Sequence, residues 1–350
     1  MSRGWLTGLL LLGLSLAGQA AAVECYYGNA GGQVQVTVPL EGIAVPADAR
    51  AGQKIWQSSD YKVPVYCGSH QAVDFSKSEL FVWLNPRAGM VADSVYQLGV
   101  SYEGRDYDLS GSPVGIDTGN CVDDERLAAA SPDEIIRHGL EPRLCSGHAS
   151  DVHTSRRFLA RFRVYVRLKR LPPANYTSQL QSATVLQFDG SSRTSGAGKN
   201  LQYLVSGLDN IRALDCSVTL TMSPDDQVID FGEFSAADVI RNNRIQRFSI
   251  RSQRRQDMTC SDGFRLNAAF SSDQPLSAGD SALLFGNGLQ LQLLTGNGPA
   301  IFNRYSAFAD FTAGQLSHEQ TYQAQLSRVA GDDIHPGPFS AVVILKINYN

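Results

Sequence analysis

Cys121, Cys145, His148 and His153 are of the types that hold zinc, thiolate with imidazole. Their spacing matches no compact zinc motif, and in an oxidising compartment such cysteines pair with each other instead. "SGAGKN" at 195–200 has the glycines and lysine of a phosphate loop. Asn200 stands where a Ser or Thr must meet magnesium, however, and Gly190 is wrongly spaced, so the segment reads as a surface loop. There is no G-x-S-x-G elbow, and the six histidines are scattered without a sequence-local nucleophile. No enzyme activity, metal or cofactor is expected. One strand offers binding chemistry. In "RRFLARFRVYVRLKR" (156–170), Phe162, Val164, Val166 and Leu168 point one way, and Arg161, Arg163, Tyr165, Arg167 and Lys169 the other. Guanidinium groups beside an aromatic ring suit an anionic sugar, with Arg161, Arg163 and Arg167 as anion contacts and Tyr165 as a stacking platform. The competing reading is a solvated or aggregation-resisting charged face.

The elements that must position these residues are almost all strands. "QVQVTV" (33–38), "ELFVWL" (79–84), "FRVYVRL" (162–168), "SVTLTM" (217–222), "RFSIRS" (247–252) and "LQLQLL" (289–294) are short and alternating, separated by Gly, Pro, Asn and Asp clusters. That pattern predicts an all-β chain of sandwich domains. The best helix signal is "SPDEIIRHG" (131–139), with Ser131 as cap, Pro132 in the first turn, acidic residues near the start and Gly139 at the end.

Residues 1–22 read as a secretory signal: Arg3, an apolar run from Leu6 to Leu16, and Ala20-Ala21-Ala22 as the cleavage site. No later run is long and apolar enough to span a membrane. The full sequence, 43% hydrophobic and 18% charged with net charge −4, is globular and too mildly acidic to point to nucleic acid. Export makes three disulfides the expectation for Cys25, Cys67, Cys121, Cys145, Cys216 and Cys260. Of 15 possible pairings, nearest neighbours are the simplest, each bridge worth roughly 3–4 kcal/mol in the entropic account. A boundary is placed in "SGLDNIRALD" (206–215), dividing the chain into domains at 23–210 and 211–350.

The last residues, "GPFSAVVILKINYN", alternate strictly, so that Phe339, Ala341, Val343, Leu345, Ile347 and Tyr349 share one face. Together with Cys216 near a first strand, "VIDFGEF" at 228–234, the partner Cys260, the penultimate Tyr349 and Gly337 fourteenth from the end, this makes residues 212–350 resemble the pilin domain of chaperone–usher fimbriae. The resemblance implies an immunoglobulin-like sandwich lacking its last strand. A periplasmic chaperone first supplies that strand and an adjacent pilin subunit later does, with Gly337, Phe339, Ala341, Val343, Leu345, Ile347 and Tyr349 at the interface. Only Val23 and Glu24 precede Cys25, too short a stretch to donate in turn, which resembles the two-domain tip adhesins of that family. The expected fold is therefore two immunoglobulin-like sandwiches in tandem. The implied partners are the chaperone, the outer-membrane usher, a neighbouring subunit and a surface or host glycan, and the implied location is the fimbrial tip, reached through the periplasm. The alternative is a non-adhesive tip or initiator subunit. Residues 23–210 are more distantly similar to the lectin domain of type 1 fimbrial adhesins, through the cysteine spacing and the strands "GQVQVTVPL" and "FRVYVRLKRLPPANY". That family has an Asn-Asp pair after its second cysteine. Here Gly68, Ser69 and His70 follow Cys67, and Val23 rather than Phe begins the mature chain, so no sugar-binding residue is carried over.

Overall fold

Strand Ser155–Leu168 sits at the centre of its sheet because its alternation meets partners on both sides. Its first half pairs antiparallel with Tyr61–Ser69 (Ser155↔Gly68 to Phe162↔Tyr61) and its second half with Tyr96–Tyr102 (Phe162↔Tyr102 to Leu168↔Tyr96). Val23–Tyr27 and Arg105–Asp108 complete the edges, and Lys54–Gln57 joins at the far end. A second sheet, ordered Gln35–Pro39, Gln202–Ser206, Ala183–Gly190, Lys77–Leu84, Val114–Asp123, faces it. Between them lie Val164, Val166, Leu168, Val82, Leu84 and Phe188, all essentially removed from water.

The computed structural model describes residues 23–40, 42–69, 75–90, 92–109, 111–173, 176–191, 199–258, 260–312 and 314–350. The signal segment at 1–22 and residues 192–198 of the glycine-rich loop lie outside the described residues. Of the described residues 48% lie in strands and 6% in helices, so the all-β expectation holds. No helix among the described residues is long and apolar enough to cross a membrane.

Beyond residue 213 two further sheets enclose a second apolar cluster, built on Phe248, Ile250, Phe264, Phe270, Phe302 and Phe311. One is ordered Val218–Ser223, Arg244–Arg254, Ser317–Arg328, Leu289–Thr295, Leu283–Leu284; the other Ser306–Phe311, Phe264–Ser271, Ile344–Tyr349. Leu208 and Ile211 pack into the first cluster, Leu214 and Cys216 into the second. The intervening Ile211–Ala213 lies parallel to Ile43–Val45.

Cysteines pair as 25–67, 121–145 and 216–260. Cys121 and Cys145 are thus disulfide-bonded and offer zinc no thiolate. They bracket a helical excursion with its own small core of Leu127, Ile135, Leu144 and Ala149. The helix anticipated at 131–139 runs Pro132–Arg137, and Ser131 and Glu134 cap each other reciprocally. Asp123, fully buried, holds the excursion's ends by accepting from Cys145 N and His153 N, both at 2.8 Å.

Tyr165 rests face-down on Gly99 of the neighbouring strand, where an added Cβ would fall within its ring. Gly99→Ala is expected to destabilise the first core by about 1–3 kcal/mol through overpacking. Thermal melting followed by near-UV circular dichroism checks this. An unchanged transition would mean that the ring can simply move aside.

Candidate strand-acceptor groove

Strand Ile344–Tyr349 has one ladder partner. It pairs antiparallel with Phe264–Ser271 (Ser271↔Ile344 to Leu266↔Tyr349) and with no other described strand. Across the sandwich, Val218–Ser223 likewise pairs only with Arg244–Arg254. Between these two edges runs a cleft of about 470 Å³. Its floor is the second core itself, Phe248, Ile250, Phe270 and Leu293, and its lips are Ile229 and Phe231 on one side and Val343 and Leu345 on the other.

The alternation read from the sequence orients this strand. Ala341, Val343, Leu345, Ile347 and Tyr349 pack toward the second core, whereas Val342 and Ile344 are 74% and 52% exposed. Phe339 packs instead on a satellite cluster, its ring 5.1 Å from that of Phe285 and 5.8 Å from that of Phe234. Gly337 precedes it at φ +154°. Tyr349 closes the groove's end. Its ring lies 5.6 Å from that of Phe264, and its hydroxyl accepts a 3.1 Å bond from Val218 N, tying the two edges together. Burial pushes its phenol up to about 12.

One expectation needs correction. The strand does not run the length of 337–350, because the ladder begins only at Ile344. Its partner ends at Ser271, so the preceding residues have no strand to pair with; Ser272 Oγ donating to Val342 O (2.7 Å) is the contact that follows.

The cationic row on the first half is also not the open platform its alternation predicts. Tyr165 is fully buried, covered by the Lys54 ammonium 4.4 Å from its centroid, with its hydroxyl donating to Asp108 at 2.7 Å. A two-pronged pair with Asp60 engages Arg163, and Asp108 engages Arg167 at 3.2 Å. Tyr165 therefore cannot stack on a sugar, and two of the three guanidinium groups are already neutralised. The physical cause is position. A central strand's outer face is reached by carboxylates from its neighbours, here Asp60 beside Tyr61 and the "DYD" of Arg105–Asp108. That acidic tripeptide was the available signal. Arg161 alone of the three remains exposed, its main-chain N donating to Glu103.

The outward face of Ile344–Tyr349 meets the first half. Asn348 accepts from Gln57 N (3.2 Å) and donates to Gln57 O (2.7 Å) while both residues are buried. Beside it Asn350 donates to Gly42 O, Tyr305 N to Ser59 Oγ, Asp60 N to Asn303 O, and Lys62 pairs with Asp280.

No family model matches this chain. Among solved structures it is similar to the P pilus rod subunit PapA, at 20% identity over 39% of this chain and 99% of that one, with a TM-score of 0.30. It is similar along most of its length to the CupB6 tip adhesin from Pseudomonas aeruginosa, at 12% identity over 94% and 95% of the two chains (TM-score 0.28). A third similarity is to the CsuC–CsuE chaperone–tip adhesion subunit pre-assembly complex of Acinetobacter baumannii, at 11% over 93% and 99% (TM-score 0.24). These matches are pilus subunits and tip adhesins. At such identities and scores they assign no activity to this chain.

Asn348→Ala should leave the buried polar main chain of Gln57 without its partner, at about 1–3 kcal/mol. Urea titration of the full chain measures it. A variant as stable as the parent would show that water replaces the amide freely.

Proposed function

We propose that the chain is a two-domain tip subunit of a chaperone–usher fimbria, with residues 211–350 as an incomplete sandwich that accepts a strand from another chain and residues 23–210 as the part that meets a surface glycan. The observation that carries this reading is the pair of unladdered strand edges flanking an apolar groove. An inserted strand would bond its main chain to the free edge of Ile344–Tyr349 and bury alternate side chains between Val343, Leu345 and Phe231. Burying half a dozen apolar side chains there is worth on the order of 10 kcal/mol. Without such a strand the edge is an aggregation template.

That chemistry requires a partner at every stage: a periplasmic chaperone during export, the outer-membrane usher at assembly, and an adjacent pilin subunit in the fibre. Val23–Tyr27 is paired with Tyr61–Ser69 in its own sheet, with Val23 opposite Ser69, so these residues are not a free donor strand.

The test compares the mature chain with and without a donor strand fused through a flexible linker. Fusion should raise the melting temperature of the second half and abolish binding of a hydrophobic dye. Val343→Asp, which places a charge on the groove wall, should prevent both effects while the first half still melts normally. A chain that is equally stable and equally dye-silent without a donor would overturn the reading.

A further inference from the structure

A cavity of about 540 Å³ lies where the two halves meet, on the side of Ile344–Tyr349 opposite the groove. Four cations line it, Lys54, Arg161, Arg163 and Lys346, against three carboxylates, Asp60, Glu103 and Asp106. Two cations are satisfied: Lys54 by Asp106 at 2.6 Å, and Arg163 by Asp60. Among the described residues, neither Arg161 nor Lys346 has an ion-pair partner. Lys346 stands out because it is partly out of water; burial first, and then Arg163 and Lys54, lower its pKa from the ordinary lysine value against the opposing pull of Asp60 and Asp273. A half-buried ammonium facing Arg163 and Lys54, with Asp60 already engaged by Arg163, is a costly arrangement unless a further anion completes it.

The rest of the lining narrows the ligand. Ser101, Gln274 and Asn303 offer hydroxyl and amide groups, beside a smaller apolar lining of Pro275 and Leu276, with Phe162 almost wholly buried beneath. The volume falls within the range of small-molecule sites, roughly 300–1,000 Å³, and far exceeds what a bare inorganic anion fills. We propose that this cavity binds an acidic saccharide, its carboxylate or sulfate seated between Arg161 and Lys346 and its hydroxyls on Gln274 and Asn303. The choice of a saccharide rests on reading the chain as a glycan-binding tip subunit; the anion site itself rests on the cations. The site spans both halves, so it is complete only when they are joined.

The experiment uses the full mature chain, carrying its fused donor strand, on immobilised oligosaccharides. One arm is a heparin-derived sulfated oligosaccharide, a second an unsulfated uronate oligosaccharide, a third a neutral oligosaccharide of the same length, and a fourth sodium sulfate as a free competitor. Binding to at least one acidic arm and not to the neutral one is expected, weakening as salt rises. Which acidic arm binds identifies the anion. Lys346→Gln and Arg161→Gln should each reduce that binding about tenfold or more, the loss of one charged hydrogen bond. Because Lys346 faces away from the groove, its variant should still gain stability from the fused donor strand. Arg161, exposed on the first half, supplies the second variant should Lys346→Gln fail to fold. Equal binding of neutral and acidic arms, no acidic binding at all, or parental affinity in Arg161→Gln would overturn the proposal. So would sodium sulfate alone matching the acidic oligosaccharides in affinity, which would reduce the site to an adventitious ion. Failure of the donor strand to stabilise the parent chain would instead count against the groove, and saccharide binding would be judged separately.

Discussion

The unladdered edge of strand Ile344–Tyr349 is the constraint on which the second half is arranged. A sheet edge carries unpaired N–H and C=O groups, and here it borders the core directly. Most sandwiches close such a gap with a strand of their own. Among the described residues no strand lies over the floor formed by Phe248, Ile250 and Leu293. Tyr349 bridges the two edges, its hydroxyl accepting from Val218 N.

The same strand serves two surfaces, and period-2 geometry permits it. Val343 and Leu345 line the groove and Ile347 packs on the second core, while Lys346 and Asn348 face the first half. The junction formed by Asn348 is polar and consists of main-chain and amide hydrogen bonds, in contrast to the aromatic core a few ångströms away. Such bonds specify a docking geometry while contributing little net stability each. Occupation of the groove and the seating of the two halves therefore share one backbone element.

Carboxylates decide what the basic residues can do. Asp60, Asp106 and Asp108 neutralise Arg163, Lys54 and Arg167, converting what the sequence presents as a cationic strip into internal ion pairs around a buried tyrosine. Asp93 plays an organising part elsewhere. Burial alone would raise its pKa, but the main-chain N–H groups of Tyr96, Gln179 and Val95 outweigh that and lower it. The cations left over, Arg161 and Lys346, come from different halves and gather at one cavity.

By itself the sequence determined what depends on neighbours two to four residues apart. The alternation of Phe162 to Leu168 predicted the burial of Phe162, Val164, Val166 and Leu168, and the helix signal at 131–139 located a helix of six residues. The phase of Ala341 to Tyr349 was legible for the same reason, since a strand's two faces follow from parity alone. Other features required the tertiary structure. Tyr61–Ser69 contains Pro64, which hid a strand of nine residues until its pairing on both sides was seen. Tyr165 was read as exposed because parity cannot know that Gly99 lies beneath its ring and Lys54 above it. The partner of Arg163 is 103 residues away in the chain, and the partner of Asn348 is 291 away. Local spacing sets which way a side chain points; what it meets there is set by strand pairings that close long loops, and those are decided only when the whole core forms.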